Sequence, residues 1–346
     1  MEFNMSNIKL GVIFGGMSTE REVSCISATS VIKNLNKDKY NIFQIFIDKD
    51  GKWFEVKNIE KIYETKKRIT NICEYLKELD LVFPVLHGLY GEDGTIQGML
   101  EMLKIHYVGC GVLASSLGMN KACTKIIFEK ARINQAKYVY LKKVKDKYFY
   151  VDEELNENQV ELKKIDEIVS EKIGFPLFVK PANSGSSVGV SKVENNTKLE
   201  NAIEEAGQFD KEILIEKAIV GKEVECSVIG NQDMVSSCVG EIVPAEVFYS
   251  YNAKYKDENS KIIIPANISK EKEEEIRKLA VKAFKAIGGK GLSRVDFFVE
   301  EKTDKVYINE INTMPGFTNI SMFPKLFENS GIEYTELLDR LIDYCL

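Results

Sequence analysis

Residues 292–321, LSRVDFFVEEKTDKVYINEINTMPGFTNIS, constrain this chain more than any other stretch. Two alternating runs, Leu292 to Val299 and Val306 to Ile311, flank a Glu-Glu-Lys-Thr-Asp-Lys turn and so pair as antiparallel strands. Side chains two apart on a strand share a face, which puts Arg294 beside Asp296 and Glu310 beside Asn312. Two carboxylates and an amide oxygen then converge next to an arginine. Hard divalent cations such as Mg2+ take oxygen ligands of this kind together with substrate phosphates. A single Asp-Glu pair read alone favours a solvated hairpin with an ordinary ion pair. The polar positions set between apolar ones in Asn309-Glu310-Ile311-Asn312-Thr313 favour a ligand, because burying them without one is costly.

The first hundred residues alternate strand and helix: Ile8 to Phe14, a helix Ser24 to Asn36, strands Phe43 to Ile47 and Leu81 to Leu86, and a helix Thr95 to Leu103. Such alternation builds a parallel sheet with helices on both faces and places ligands at the carboxyl ends of the strands. Two strand ends carry signals. Gly15-Gly16 permits close backbone approach before a helix, where amides favour an anion, and Glu20 just beyond it can meet an ammonium group; it is also a plain turn. His87, one of two histidines, ends a buried strand and precedes Gly88, Gly91 and Gly94, a placement that favours function over a structural role. His106, at the start of a short strand, reads as structural.

Three units are expected: an α/β substrate domain over 1–109, a central unit over 110–211, and a C-terminal unit over 212–346. In the central unit a strand ends at Lys180, and Ala182-Asn183-Ser184-Gly185-Ser186-Ser187-Val188-Gly189 follows as a small-residue loop. Its amides can wrap a phosphate while the lysine holds another oxygen, although a Ser/Gly hairpin has the same composition. The Walker order is excluded, since the lysine precedes the loop. Glu216-Lys217 ends the next strand, either as a reader of adenine and ribose or as a solvated edge. The stretch from Glu246 to Ser260 has four aromatics within eight residues and no period, which suits a functional loop. The helix Lys270 to Ile287 puts Ile276, Leu279, Ala280, Ala283 and Phe284 on a core face.

Charge and cysteines exclude other classes. A net charge of -6 argues against nucleic acid or an anionic membrane as the main partner. Seven cysteines, without a Cys-x-x-Cys pair, read as reduced and mostly buried thiols of a cytoplasmic protein. No stretch approaches the roughly 20 apolar residues of a spanning helix. The polar lead into Ile8 carries no cleavage signal, and either Met1 or Met5 is the start.

Taken in order, Gly15-Gly16 with Glu20-Arg21-Glu22-Val23-Ser24, His87-Gly88 with Gly91-Glu92-Asp93-Gly94-Thr95, Lys180-Pro181 with its loop, Glu216-Lys217, Arg294-Val295-Asp296, and Asn309 to Gly316 resemble the D-alanine–D-alanine ligases over nearly the whole chain. The resemblance implies an ATP-grasp fold of mixed α/β and α+β character behind an N-terminal parallel α/β domain. It implies ATP as phosphoryl donor, Mg2+ with Mn2+ as substitute, D-alanine as substrate, a homodimer, and a dipeptide for peptidoglycan made through D-alanyl phosphate. It would put Lys121, Lys180, Ser187, Glu216, Lys217, Ile219, Glu223 and Lys254 around ATP, and Asp296, Glu310 and Asn312 on the metal. Glu20 and His87 would hold the first substrate, Arg294 and the Gly316 amide the oxyanion, and Ser321 and Met322 the second substrate's pocket. Ser186 and Tyr255, linked to Glu20, would handle the attacking amine. The segment Ala182-Asn183-Ser184 is less charged than in many relatives. The phrase around Asn309 is also close to the vancomycin-resistance ligases that make D-alanyl-D-serine or D-alanyl-D-lactate; those commonly have arginine where this chain has Met322. A non-catalytic nucleotide-binding relative is the remaining alternative, marked by loss of a metal ligand or of the arginine.

Overall fold

The computed structural model describes residues 7–185, 188–243 and 261–346. The first sheet holds β1 (Ile8–Gly15), β2 (Tyr40–Ile47), β3 (Trp53–Val56), β4 (Lys67–Arg68), β5 (Leu81–Pro84) and β6 (His106–Tyr107), in the order β4-β3-β2-β1-β5-β6. Its centre is parallel, as alternation requires: β1 pairs in parallel with β2 and β5, and β5 with β6. β3 and β4 add an antiparallel edge, which short strands joined by tight turns can do without a crossover helix. β1 is an unbroken apolar run because both faces of the sheet are covered.

The expected first helix begins earlier and ends earlier than its apolar pattern suggests, at Arg21–Asn34, with Glu20 at its N-cap. Its inward face is built from Ser24, Ser27 and Ser30 as much as from Val23, Ala28 and Val31. That small polar face hides the periodicity. The helix Thr95–Leu103 falls where expected, whereas the strand expected to reach Leu86 stops at Pro84.

The second sheet contains β7 (Tyr138–Val144), β8 (Lys147–Val151), β9 (Glu157–Val160), β10 (Leu177–Pro181), β11 (Ser191–Val193) and β12 (Glu212–Lys217), in the order β11-β10-β12-β7-β8-β9. β12, which begins where the third unit was expected to start, is hydrogen-bonded between β10 and β7. The third sheet is antiparallel: β13 (Gly221–Gly230), β14 (Val235–Val243), β15 (Lys261–Ile263), β16 (Gly291–Glu300) and β17 (Val306–Asn312), in the order β15-β14-β13-β16-β17. The helix Lys270–Ala286 covers one face through Ile276, Ala280, Ala283 and Phe284, as its pattern predicts.

The cores cross the unit boundaries. Ala114 and Phe128, from the helices Val112–Met119 and Lys121–Lys130, are buried with Val295, Phe297 and Ile308 of the third sheet. The C-terminal helices Met322–Asn329 and Tyr334–Asp343 send Phe323, Leu337, Leu338 and Leu341 into the core of the first sheet. All seven cysteines are free thiols, but only Cys110 and Cys226 are fully buried, fewer than expected, and burial pushes both up to about 12. Among the described residues no helix is long and apolar enough to cross a membrane.

Candidate functional site

The hairpin β16–β17 delivers the expected group. Asp296 lies opposite Glu310 and Arg294 opposite Asn312 in the ladder, with an irregularity just after Asp296. Arg294 donates from Nε and Nη2 to the two carboxylate oxygens of Asp296, both at 2.7 Å, and Asn312 Nδ2 donates to Asp296 Oδ2 at 3.1 Å. On the other side, β13 places Glu225 opposite Asp296, and Glu225 Oε2 stands 2.9 Å from Arg294 Nε. Burial works against the guanidinium charge, but Asp296, Glu225 and Glu310 overcome it and hold Arg294 firmly protonated.

Carboxylates facing each other across a ladder repel unless a cation lies between them. Among the described residues no three His, Cys, Asp or Glu side chains group as a metal site. Asp296, Glu310 and the Asn312 amide nonetheless bring oxygen atoms, the donor type that hard divalent cations take, to neighbouring positions of the ladder.

A second charged cluster sits under the expected phosphate loop. Glu216, at the end of β12, receives Lys180 Nζ at 2.7 Å and Lys125 Nζ at 3.0 Å, with all three residues buried. Burial alone would raise the Glu216 carboxyl, but Lys125 and Lys180 bring it below the ordinary range; the Lys125 ammonium is lowered, chiefly by burial. Lys121 ties this cluster to the hairpin: its Nζ donates to the Ser184 carbonyl at 2.7 Å and lies 3.4 Å from Glu310 Oε2. Asn183, at the root of the loop, donates to Asp210, and Asn120 and Tyr140 donate to Glu212, so the loop springs from a fixed base. Lys217 donates to the Phe175 carbonyl at 2.6 Å. Ile219 and Glu223 are half-buried where the chain passes from the second sheet to the third.

Glu20 meets both the first and the central units. A Cβ at Gly88, whose φ is +72°, would collide with its carboxylate, and one at Gly185 would stand 3.0 Å from Oε2. Glycine at these two positions leaves room for this carboxylate. His87 is buried: its Nδ1 lies 3.1 Å from the Met314 carbonyl and 3.5 Å from Glu92 Oε1, and its Nε2 lies 2.9 Å from Ser27 Oγ. Burial raises the Glu92 carboxyl to about 6. At Gly316 a side chain would press on Ser321 Oγ, which accepts from the Thr318 N–H at 3.0 Å ahead of the helix Met322–Asn329. Met322 is 5% exposed and packs with Ile242 and Leu326, its Cε over Gly240, so its thioether lies in a small core rather than on an open wall.

Ser186, Ser187, Lys254 and Tyr255, with the aromatic loop, lie outside the described residues. The sequence reading missed Lys125, Glu225, Glu92 and Ser27. Lys125 sits at i+4 from Lys121 on one helix, and Glu225 alternates with Glu223 on β13; those spacings were the only available signals.

A parallel α/β sheet followed by two antiparallel sheets with their helices, the last carrying the Arg294, Asp296, Glu310 and Asn312 hairpin, is the architecture of an ATP-grasp fold behind a parallel α/β domain. Two family models match: D-ala D-ala ligase N-terminus over residues 9–110 and D-ala D-ala ligase C-terminus over 127–343. Relatives named D-alanine–D-alanine ligase from Acetivibrio thermocellus and D-alanine–D-alanine ligase B from Clostridium tetani are 50% and 47% identical; the matches cover 96% and 100% of this chain and 94% and 95% of theirs. Among solved structures, the VanG D-Ala:D-Ser ligase from Enterococcus faecalis matches with a TM-score of 0.86 at 35% identity, covering 99% of this chain and 100% of the other. The D-alanine–D-alanine ligase from Coxiella burnetii matches with 0.83 at 32%, covering 98% and 95%. The chain belongs to the D-alanine–D-alanine ligase family.

Proposed function

We propose that this protein joins two D-alanines at the expense of ATP, in the cytoplasm and as a homodimer, with Mg2+ held by Asp296, Glu310 and Asn312. The observation that carries the reading is that Lys121 spans from the Ser184 carbonyl of the small-residue loop to Glu310 of the hairpin, while Gly185 of the same loop stands against the Glu20 carboxylate. Glu20 anchors the ammonium of the first D-alanine and turns its carboxylate toward the hairpin. Lys180 and Lys121 hold phosphate oxygens, and the small-residue loop adds backbone amides. When bound, the cation neutralises charge on the transferring phosphoryl group. The first D-alanine becomes an acyl phosphate, the amine of the second attacks its carbonyl, and phosphate leaves. Arg294 and the Gly316 N–H are aimed where negative charge grows on that carbonyl oxygen, the interaction that accelerates acyl transfer most directly. The N-terminus of the helix Met322–Asn329, at Ser321, receives the acceptor's carboxylate.

The VanG match favours D-serine as a second acceptor, yet the 50% and 47% identical relatives carry the D-alanine name. A non-catalytic role is opposed by the presence of Arg294 and all three metal-binding side chains. Phosphate release with ATP and D-alanine, against L-alanine and D-serine, tests the reading. Release with D-alanine that exceeds both others is expected, and none above the ATP-only background would overturn it.

A further inference from the structure

The loop Met314–Phe317 presents the Gly316 amide, but the groups that fix its backbone come largely from the N-terminal domain. His87 Nδ1 donates to the Met314 carbonyl at 3.1 Å, since a carbonyl only accepts, and its Nε2 is hydrogen-bonded to Ser27 Oγ, 2.9 Å away. Ser27 Oγ in turn accepts from the Phe317 N–H at 3.2 Å. One hydroxyl therefore closes a ring of hydrogen bonds around both ends of the loop. Tyr334 completes the hold by donating to the Phe317 carbonyl at 2.7 Å, and the Phe317 side chain is fully buried against Phe83 and Phe323. Ser27 lies seven residues beyond Glu20, two turns along the helix Arg21–Asn34.

We propose that Ser27 is a positioning residue for acyl transfer: through Phe317 and His87 it fixes the Gly316 N–H relative to Glu20, so that one rigid helix sets the distance between the ammonium anchor and the oxyanion donor. This rests on the reading of Gly316 and Glu20 given above. A donor for a developing oxyanion is useful only if it is held before the charge appears. Within this ring Ser27 is the one side chain that bonds both the loop N–H and the histidine, so its loss frees both contacts at once.

The experiment compares the full-length protein with Ser27→Ala and Ser27→Thr. Steady-state kinetics give kcat for dipeptide formation and KM for ATP, and calorimetry gives binding of a phosphinate analogue of the dipeptide, whose tetrahedral phosphorus copies the adduct. For Ser27→Ala, kcat and phosphinate affinity should fall together by about ten- to a hundredfold, as expected for a buried N–H and ring nitrogen left unpaired, while KM for ATP stays within about twofold. Ser27→Thr, which keeps the hydroxyl, should recover most of the loss. Unchanged kcat and phosphinate affinity in Ser27→Ala would overturn the proposal, as would parallel losses in ATP, D-alanine and phosphinate binding, which mark general damage. Failure of the unmodified protein to make dipeptide, or to prefer the phosphinate over D-alanine, would instead strike the underlying reading.

Discussion

Glu216→Gln isolates the electrostatics of the buried cluster. The carboxylate lies 2.7 Å from Lys180 Nζ and 3.0 Å from Lys125 Nζ, and its removal leaves two buried ammonium groups around a neutral amide. At an effective dielectric of about 20, each lost attraction is on the order of 5 kcal/mol before desolvation is counted. A ceiling applies, because a lysine can shed its proton instead. From a free value near 10.4 to pH 7 that costs roughly 4.6 kcal/mol at about 1.36 kcal/mol per unit. Lys125, already lowered by burial, is the group that will do so. The expected loss is therefore about 3–5 kcal/mol, the range for breaking a buried pair, or roughly 10 °C in Tm. The sign of the pH dependence is fixed. A lysine neutral in the folded variant but charged when unfolded means that the unfolded state binds more protons, so the variant's stability rises with pH toward about 10. In the parent, Lys125 is lowered less because Glu216 opposes the shift, and Glu216 itself stays ionised throughout, so the gap between variant and parent should narrow from pH 7 to 10. Thermal melts at four or five pH values test this. A shift under about 2 °C, or a gap that widens with pH, would show that water rather than Glu216 solvates these lysines.

Three further outcomes are expected. Glu310→Gln should keep its circular dichroism and its melting temperature within a few degrees but lose on the order of a hundredfold in phosphate release, since the charge proposed to hold the metal beside Lys121 is removed. Glu92, whose carboxyl is raised to about 6, contributes stability that is fully present below pH 4 and lost as pH rises through 6; Glu92→Gln should therefore melt higher than the parent at pH 7.5, by up to about 2 kcal/mol, and equally at pH 4, as a pair of scans would reveal. With equal D-alanine and D-serine as acceptors, D-alanyl-D-alanine should predominate by about a hundredfold at most, because a site that makes no hydrogen bond to an added hydroxyl rejects it weakly; mainly mixed dipeptide by mass spectrometry would move the chain to the D-serine group.

Local pattern made much of this legible. The hairpin 292–312 was readable because alternation fixes which side chains on each strand share a face, although a shift after Asp296 sets it opposite Glu310 rather than Asn309, where the register from the turn would have placed it. Arg294, Asp296, Glu310 and Asn312 could thus be grouped before any tertiary contact was known. Lys125 and Glu225 could not. Each is a single charged residue in an ordinary helix or strand, and its meaning comes from a partner about 90 or 70 positions away, Glu216 for one and Arg294 for the other. Ser27 escaped for the opposite reason: serines on a helix face read as solvent-facing, whereas Ser24, Ser27 and Ser30 all point inward onto backbone and side-chain partners. The placement of β12 was equally hidden, since a strand carries no local sign of which sheet will accept it.

The interleaving of the lobes bears on how the chain is made. The helices Val112–Met119 and Lys121–Lys130 leave the ribosome long before the strands that bury Ala114 and Phe128. About ninety residues separate Lys130 from the first of those strands, so at ordinary synthesis speeds their apolar faces wait roughly 5–20 s for partners, and longer for β16 and β17. A nascent chain arrested near residue 211 is worse placed still, because the second sheet would lack the strand between β10 and β7 and fall into two unjoined pieces. Pausing there should recruit chaperones.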